Sequence, residues 1–235
     1  KHIRTARWRK LAQSVAQVHD GDPTEVRRFS PNPINLDYLW SVLHGGLPTL
    51  YSWLQQGDAQ QLTALIKALT ANGQALTESA LPLWQGIAPT PVHGDLKLEN
   101  VLSSFGVVLL LDWELFGLGD AAHEVASFLA MNRNLLDEEM RELWLEQYLA
   151  SFSQPGLRQR IGVYERILPL HQLLYLLHGL RQSSPADLPL LRANQSFLTA
   201  TILAAIEQSS AALHVMESTI TEDEIANLFE PKEQS

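Results

Sequence analysis

The stretch that decides the fold of this chain is HGDLKLEN at residues 93–100, which is followed by the apolar run VVLLLD at residues 107–112. Two prolines lie just before it and favour an extended backbone that leads into a loop. Residues 101–111 have the apolar segments and the central turn residues of a short β-hairpin. The sequence therefore predicts a hairpin with Asn100 at its entrance and Asp112 at its exit.

The polar residues of this stretch follow the order of a phosphoryl-transfer loop: an aspartate, an asparagine five residues later, and an aspartate after a strand. Mg²⁺ prefers oxygen ligands and keeps several water and phosphate oxygens, so one amide and one carboxylate from the protein suffice. We therefore predict Asn100 and Asp112 as magnesium ligands. Asp95 is predicted to orient an acceptor hydroxyl and take its proton. Lys97 lies on the same side of an extended loop and is predicted to neutralise the transferring phosphoryl group.

The alternative is that these residues are ordinary turn formers, because Asp, Asn and Lys are common in loops. Average residue usage makes His-Gly-Asp with Asn at the right distance a chance event on the order of once in a thousand chains of this length. The apolar strand that ends at Asp112 lowers that frequency further.

Apolar residues at helical spacing predict helices through most of the remaining chain. These helices cover residues 3–19, 35–44, 58–84, 121–132, 137–152, 157–182, 188–213 and 222–229. Asn72 and Gly73 predict a loosened turn within the third helix. Residues 117–120 predict a turn in which Asp120 is the N-cap of the next helix. The fold class is therefore mostly α, or α+β, with one small hairpin.

Composition limits the classes of partner. The 235 residues contain 17 basic and 26 acidic residues, a net charge of −9 that argues against nucleic acid and favours a cationic small molecule. No apolar run reaches the length of a membrane span, so no membrane partner is expected. The chain has no cysteine, which excludes disulfides and thiolate metal sites and is compatible with the cytoplasm, the compartment we expect.

Four segments together resemble one family: HGDLKLEN at residues 93–100, LDWE at 111–114, GLGD at 117–120 and EVA at 124–126. In order, spacing and context they are similar to the aminoglycoside phosphotransferase and choline kinase family of small-molecule kinases. The resemblance implies a protein-kinase-like fold, an ATP or GTP phosphoryl donor and Mg²⁺.

The resemblance also implies roles for single residues. It gives Asp95, Asn100 and Asp112 the roles derived above, makes His93 a structural support of the loop, and makes Asp120 a brace of the catalytic loop. Lys97 stands where the family often has a histidine and is similar to the protein-kinase version of this loop.

The helical surroundings resemble the C-terminal lobe of that family. No strand-rich segment or Gly-rich hairpin precedes His93, so we expect the N-terminal β lobe, which binds the nucleotide in this family, to be missing from these residues and supplied in cis. Residues 1–230 are then the substrate- and metal-binding lobe, and residues 231–235 are a frayed tail.

Further candidates have ordinary alternatives. Glu114 is a candidate for a second metal or the substrate, or a polar loop residue. From the layout of the family, the segment from Asp37 to Trp40 is expected to wall a substrate pocket. Six aromatic residues are candidates for a wall around a quaternary ammonium group, although core packing is the commoner reason for each. They are Tyr38, Trp40, Trp53, Trp144, Tyr148 and Tyr175.

The sequence thus predicts an ATP- and Mg²⁺-dependent phosphotransferase that acts on a hydroxyl group of a small molecule. An aminoglycoside, choline, a sugar and an amino-acid alcohol all stay open as acceptors, because pocket shape distinguishes them. The competing hypothesis is a non-catalytic binding or interaction module that keeps the kinase-like fold without turnover.

Overall fold

The structure is a computed structural model that describes residues 2–30, 34–104, 106–184, 186–216 and 220–229. The predicted tail at residues 231–235 lies outside these ranges. The α-helices of the described residues are α1 (His2–His19), α2 (Leu36–His44), α3 (Leu47–Gln56), α4 (Gln60–Ala80), α5 (Ala121–Met131), α6 (Glu138–Ser151), α7 (Leu157–Gln182), α8 (Leu188–Ala193), α9 (Gln195–Leu213) and α10 (Glu222–Ala226). The strands are β1 (Thr90–Val92), β2 (Val101–Ser104), β3 (Val107–Leu110) and β4 (Gly117–Gly119).

These elements confirm the predicted mostly helical fold with a small hairpin. Strands β2 and β3 pair antiparallel, with Val101 opposite Leu110 and Ser104 opposite Val107. Among the described residues, no helix combines the length and hydropathy that crossing a bilayer requires.

The chain divides into two compact units. The first comprises Lys1–Leu39 and Ala80–Glu165, and the second comprises Trp40–Ser79 and Arg166–Ser235. All predicted catalytic and metal-binding residues therefore belong to the first unit.

In the first unit, α1 packs along α6 and also contacts β1 and β3. Leu11 and Val15 are buried, whereas Arg7, Arg9 and Lys10 are exposed. These three basic side chains are thus solvated, and that of Lys10 donates to the carbonyl of Gly106 at the tip of the hairpin.

The turn predicted at residues 117–120 is wrong, because residues 117–119 form strand β4, which pairs antiparallel with β1. The amide of Leu118 also donates to Arg28 O at 2.9 Å, and the amide of Ser30 donates to Leu118 O at 3.0 Å. A Cβ atom on Gly117 would lie 2.4 Å from Ser30 N. The glycine that suggested a turn is needed here for close backbone approach.

In the second unit, α4 runs through Asn72 and Gly73 without a break, so the predicted loosening is wrong. The side-chain Nδ2 of Asn72 donates to Leu213 O at 3.1 Å. A Cβ atom on Gly73 would lie 2.8 Å from the ring of Trp40. Gly73 therefore provides space for an aromatic ring in the core rather than flexibility.

Two helices of the second unit differ from the prediction. The sequence prediction has no helix at α3, whose first turn contains Pro48, where a missing amide hydrogen is harmless. The predicted helix at residues 188–213 is divided into α8 and α9 at Asn194, which closes the last turn of α8 through hydrogen bonds to Leu190 O and Leu191 O.

Candidate active site

The loop of residues 93–97 begins where β1 ends, and a turn of 3₁₀ helix, Leu98–Asn100, joins it to β2. Gly94 has a φ angle of 90°, and a Cβ atom there would lie 2.1 Å from Leu115 O. Leu96 is buried, so the residues on either side of it, Asp95 and Lys97, face the other way and are half-buried. The alternation expected for an extended loop is thus observed.

Three predicted residues come together around one oxygen atom. Lys97 Nζ donates to Asp95 Oδ2 at 2.5 Å, and Asn100 Nδ2 donates to the same oxygen at 3.1 Å. Asn100 Nδ2 also donates to Asp95 O at 2.9 Å. The two donors share Oδ2, which leaves Oδ1 of Asp95 as the oxygen that these residues do not bind.

These contacts favour the charged forms of both partners. The hydrogen bond from Lys97 lowers the pKa of Asp95, with a smaller contribution from Asn100, and outweighs the opposing effect of partial burial. The same hydrogen bond raises the pKa of Lys97, and the nearby charge of Asp112 adds to it. The loop therefore presents an ionised carboxylate beside an ammonium group.

The residues predicted to bind Mg²⁺ fit that ion in donor chemistry. Because the amide nitrogen of Asn100 binds Asp95, its oxygen is the atom left to offer to a cation. The carbonyl of Asn100 accepts from Leu111 N at 2.8 Å, which ties it to the residue before Asp112. Asp112 is exposed, has a left-handed backbone with φ 64°, and makes no capping hydrogen bond with its side chain. Such a conformation is uncommon at non-glycine residues, and aspartate and asparagine adopt it more readily than most.

His93 connects the loop to the exit of β3. Its side chain is buried; Nε2 lies 2.8 Å from Leu111 O, and Nδ1 accepts from Asp95 N at 3.3 Å. A carbonyl oxygen only accepts, so Nε2 carries a proton that it donates to Leu111 O. The ring also packs against Trp113, at 4.6 Å between centroids.

Glu124 is the main residue that the sequence prediction missed, since it enters there only as part of the EVA segment at residues 124–126 and has no predicted role. It is buried, and its carboxylate accepts from His93 N at 3.1 Å, Gly94 N at 2.7 Å and His19 Nε2 at 2.8 Å. Burial alone would raise the pKa of Glu124, but the hydrogen bonds and charge of these partners lower it overall. The available signal was a carboxylate flanked by apolar residues in AAHEVASFLA at residues 121–130.

Asp120 is the N-cap of α5, as predicted, and accepts from Ala122 N at 2.9 Å. Its other partners are Arg160 Nη1 at 2.9 Å, Trp84 Nε1 at 2.7 Å and the Tyr164 hydroxyl at 2.8 Å. Within the described ranges, its hydrogen bonds thus reach α5, α7 and the segment after α4. The amides of the loop itself are bound by Glu124, one helical turn further on.

The remaining candidates have different surroundings. Glu114 is exposed, and its carbonyl accepts from Arg28. Asp37 is exposed in the first unit, whereas Trp40 is buried in the second and packs against His44.

The six aromatic candidates do not share one environment. Trp144 and Tyr148 are fully buried in the first unit, where their rings stack at 5.7 Å between centroids. Tyr38 and Tyr175 are 53% and 74% exposed. For Trp144 and Tyr148, the alternative of core packing is therefore confirmed.

Solved structures with a similar fold are kinases and phosphotransferases. Choline kinase LicA from Streptococcus pneumoniae matches with a TM-score of 0.54 at 13% identity, over 90% of this chain and 64% of its own. An aminoglycoside phosphotransferase from Alicyclobacillus acidocaldarius matches with a TM-score of 0.54 at 14% identity, over 89% of this chain and 66% of its own. A structure of LicA in complex with AMP matches with a TM-score of 0.50 at 13% identity, over 90% of this chain and 64% of its own. This chain thus spans about two thirds of the length of these proteins.

The fold that the sequence resemblance implied is therefore confirmed. In the comparison with curated protein sequences, none matches this chain. The profile of the phosphotransferase enzyme family matches residues 2–163, more than half of the chain and the whole stretch from α1 to the first turns of α7. The chain belongs to the phosphotransferase enzyme family.

Proposed function

We propose that this chain transfers the γ-phosphoryl group of ATP or GTP to a hydroxyl group of a small molecule, with Mg²⁺ as cofactor. The observation that carries the proposal is the arrangement at Asp95. One of its oxygens is held by Lys97 and Asn100, the other is bound by neither, and the exposed carboxylate of Asp112 follows at the exit of the hairpin.

In this reaction the acceptor oxygen forms a bond to the γ-phosphorus while the bond to the oxygen bridging the β and γ phosphorus atoms breaks. Asp95 takes the proton of the acceptor hydroxyl through Oδ1, since Oδ2 is already occupied by two donors. Lys97 offsets charge on the transferring group. Asn100 and Asp112 would hold Mg²⁺, which neutralises phosphate charge when bound.

Support for the acceptor class comes from charge and from the structural relatives. LicA is a choline kinase, and a related structure is an aminoglycoside phosphotransferase. The net charge of −9 favours a cationic acceptor of either kind. The AMP complex of LicA supports an adenine nucleotide as donor. We further propose that residues 1–230 act as the substrate- and metal-binding lobe and that the protein works in the cytoplasm.

The test uses the intact protein with Mg²⁺, ATP or GTP, and a panel of choline, ethanolamine, aminoglycosides, sugars and amino-acid alcohols. Nucleoside diphosphate release and the mass of the product identify the acceptor. Asp95→Asn should lower kcat by about 10²- to 10⁴-fold with nucleotide binding retained. Asp58→Asn is the matched control, because Asp58 is exposed in the second unit and has a left-handed backbone that asparagine adopts readily.

Unchanged turnover in Asp95→Asn would remove Asp95 as the base. Magnesium-dependent nucleotide binding without turnover of any acceptor would instead favour the non-catalytic binding module.

A further inference from the structure

A chain of buried hydrogen bonds leads from α6 through α1 and α5 to the catalytic loop. The Tyr148 hydroxyl lies 2.6 Å from His19 Nδ1, and His19 Nε2 lies 2.8 Å from Glu124 Oε2. Glu124 then accepts from the amides of His93 and Gly94. The first three residues are at most 3% exposed, so water does not compete for these contacts.

The direction of one of these hydrogen bonds follows from its partners. The lowered pKa of Glu124 keeps it ionised, so it only accepts and His19 must carry a proton on Nε2. Burial and the charges of Glu124 and Asp120 raise the pKa of Tyr148 well above its ordinary value, so its hydroxyl group keeps its proton and bonds to Nδ1 as a neutral group. The proton on Nε2 of His19 therefore points toward Glu124.

Glu124 needs this support because its carboxylate has to keep a fixed orientation. Its two oxygens bind two consecutive amides, Oε2 that of His93 and Oε1 that of Gly94, and Asp95 is the next residue. Glutamate has three rotatable side-chain bonds. A hydrogen bond from His19 to Oε2 fixes the carboxylate plane and so keeps each oxygen directed at its amide.

We propose that His19 and Tyr148 are positioning residues that act through Glu124 to hold the turn in which Asp95 stands. The proposal rests on the proposed function for its effect on turnover, but its effect on the loop is independent of it. The alternative is that His19 only fills space, since its ring packs edge-on against Tyr148 and Phe152, each at 5.6 Å between centroids.

Three substitutions and one control separate these readings. His19→Leu removes both hydrogen bonds, His19→Gln restores a donor toward Glu124, and Tyr148→Phe removes a single hydroxyl group. Phe152→Leu is the matched control, because Phe152 contacts the rings of both His19 and Tyr148 without taking part in the hydrogen-bonded chain.

The first measurement is hydrogen exchange of the His93 and Gly94 amides by NMR in the intact protein. Exchange should be about 10-fold faster or more in His19→Leu, several-fold faster in Tyr148→Phe, and partly restored in His19→Gln. Phe152→Leu should match wild type at these amides relative to its global stability. In wild type, long-range ¹H–¹⁵N spectra should show the His19 proton on Nε2.

The second measurement is turnover with the best acceptor. In His19→Leu, kcat should fall about 10-fold with the acceptor KM changed less than about 2-fold, and His19→Gln should recover part of the loss. Amide exchange and kcat that respond to His19→Leu only as much as to Phe152→Leu would overturn the proposal. If His19→Leu does not fold, wild-type exchange at Gly94 in Tyr148→Phe would overturn it equally. A wild-type protein without turnover would refute the proposed function, while the exchange measurement would still decide the positioning role.

Discussion

The ammonium nitrogen of Lys97 lies 2.5 Å from Oδ2 of Asp95, within a loop whose intervening residue, Leu96, is buried. The pair makes the two oxygens of the proposed base unequal, since Oδ2 is hydrogen bonded by Lys97 and Asn100 and Oδ1 is bound by neither. It also keeps Asp95 ionised at a lower pH than an isolated aspartate.

We predict that Lys97→Met raises the pKa of Asp95 toward its ordinary value of 3.8, because it removes the hydrogen bond and charge that lower this pKa. The ¹³C shift of the Asp95 carboxyl group, followed against pH, measures the change. In the same variant kcat should fall about 10- to 10³-fold, and Lys97→Arg should retain more activity. Lys67→Met, an exposed lysine of α4, is the control. An Asp95 titration identical to wild type would contradict the role of the pair.

A second prediction concerns Glu124 and acid stability. Because its folded pKa lies below the ordinary value of 4.5, Glu124 contributes stability that is present above that pH and is lost as the pH falls through the folded pKa. Glu124→Gln should lower the free energy of unfolding by about 2 kcal/mol at pH 7. The difference from wild type should shrink below about pH 4.5, as measured by urea unfolding across pH. A difference that does not change with pH would contradict this, and exposed Glu207→Gln is the control.

The backbone at Gly94 gives a third prediction. Gly94→Ala adds a Cβ atom 2.1 Å from Leu115 O to a residue with φ 90°, so the loop must move. Turnover should be lost and stability should fall by more than about 2 kcal/mol. Gly86→Ala is a matched control, because Gly86 has φ 72° and open space around its Cβ position. Gly86→Ala should lower the free energy of unfolding by only about 1 kcal/mol and leave turnover unchanged. Equal effects in the two variants would show that conformation alone, without the close contact, accounts for the loss.

The buried ion pair between Asp120 and Arg160 gives a fourth prediction. Asp120→Asn replaces an acceptor that serves four donors, and it leaves the fully buried guanidinium of Arg160 without its carboxylate. Unfolding in denaturant should show a loss of about 3 kcal/mol. The double variant with Arg160→Met should lose less free energy of unfolding than the two single variants lose together, because the second substitution removes the uncompensated charge. Additive losses would show that the two groups do not depend on each other.

The sequence by itself determined most of the helices and the β2–β3 hairpin. Helical spacing placed α1, α5, α6 and α7 to within about two residues, since each has a long apolar periodicity and a clear N-terminal or C-terminal signal. Local spacing also brought Asp95, Lys97 and Asn100 together, because residues two and five apart in one loop are neighbours whatever surrounds them.

Tertiary structure decided what local pattern cannot encode. Strand β4 exists because β1, 25 residues or more before it, supplies its hydrogen bonds, and Gly73 stays helical because a distant tryptophan packs against it. The sequence does not show whether a glutamate is exposed or buried. Only the folded chain places Glu124 between His19, which is 105 residues away, and the loop of residues 93–97. The proposed catalytic residues were predictable from the sequence because they are close together in it. The residues that hold the loop in place were not, because their partners meet only when α1, α5 and α6 pack together.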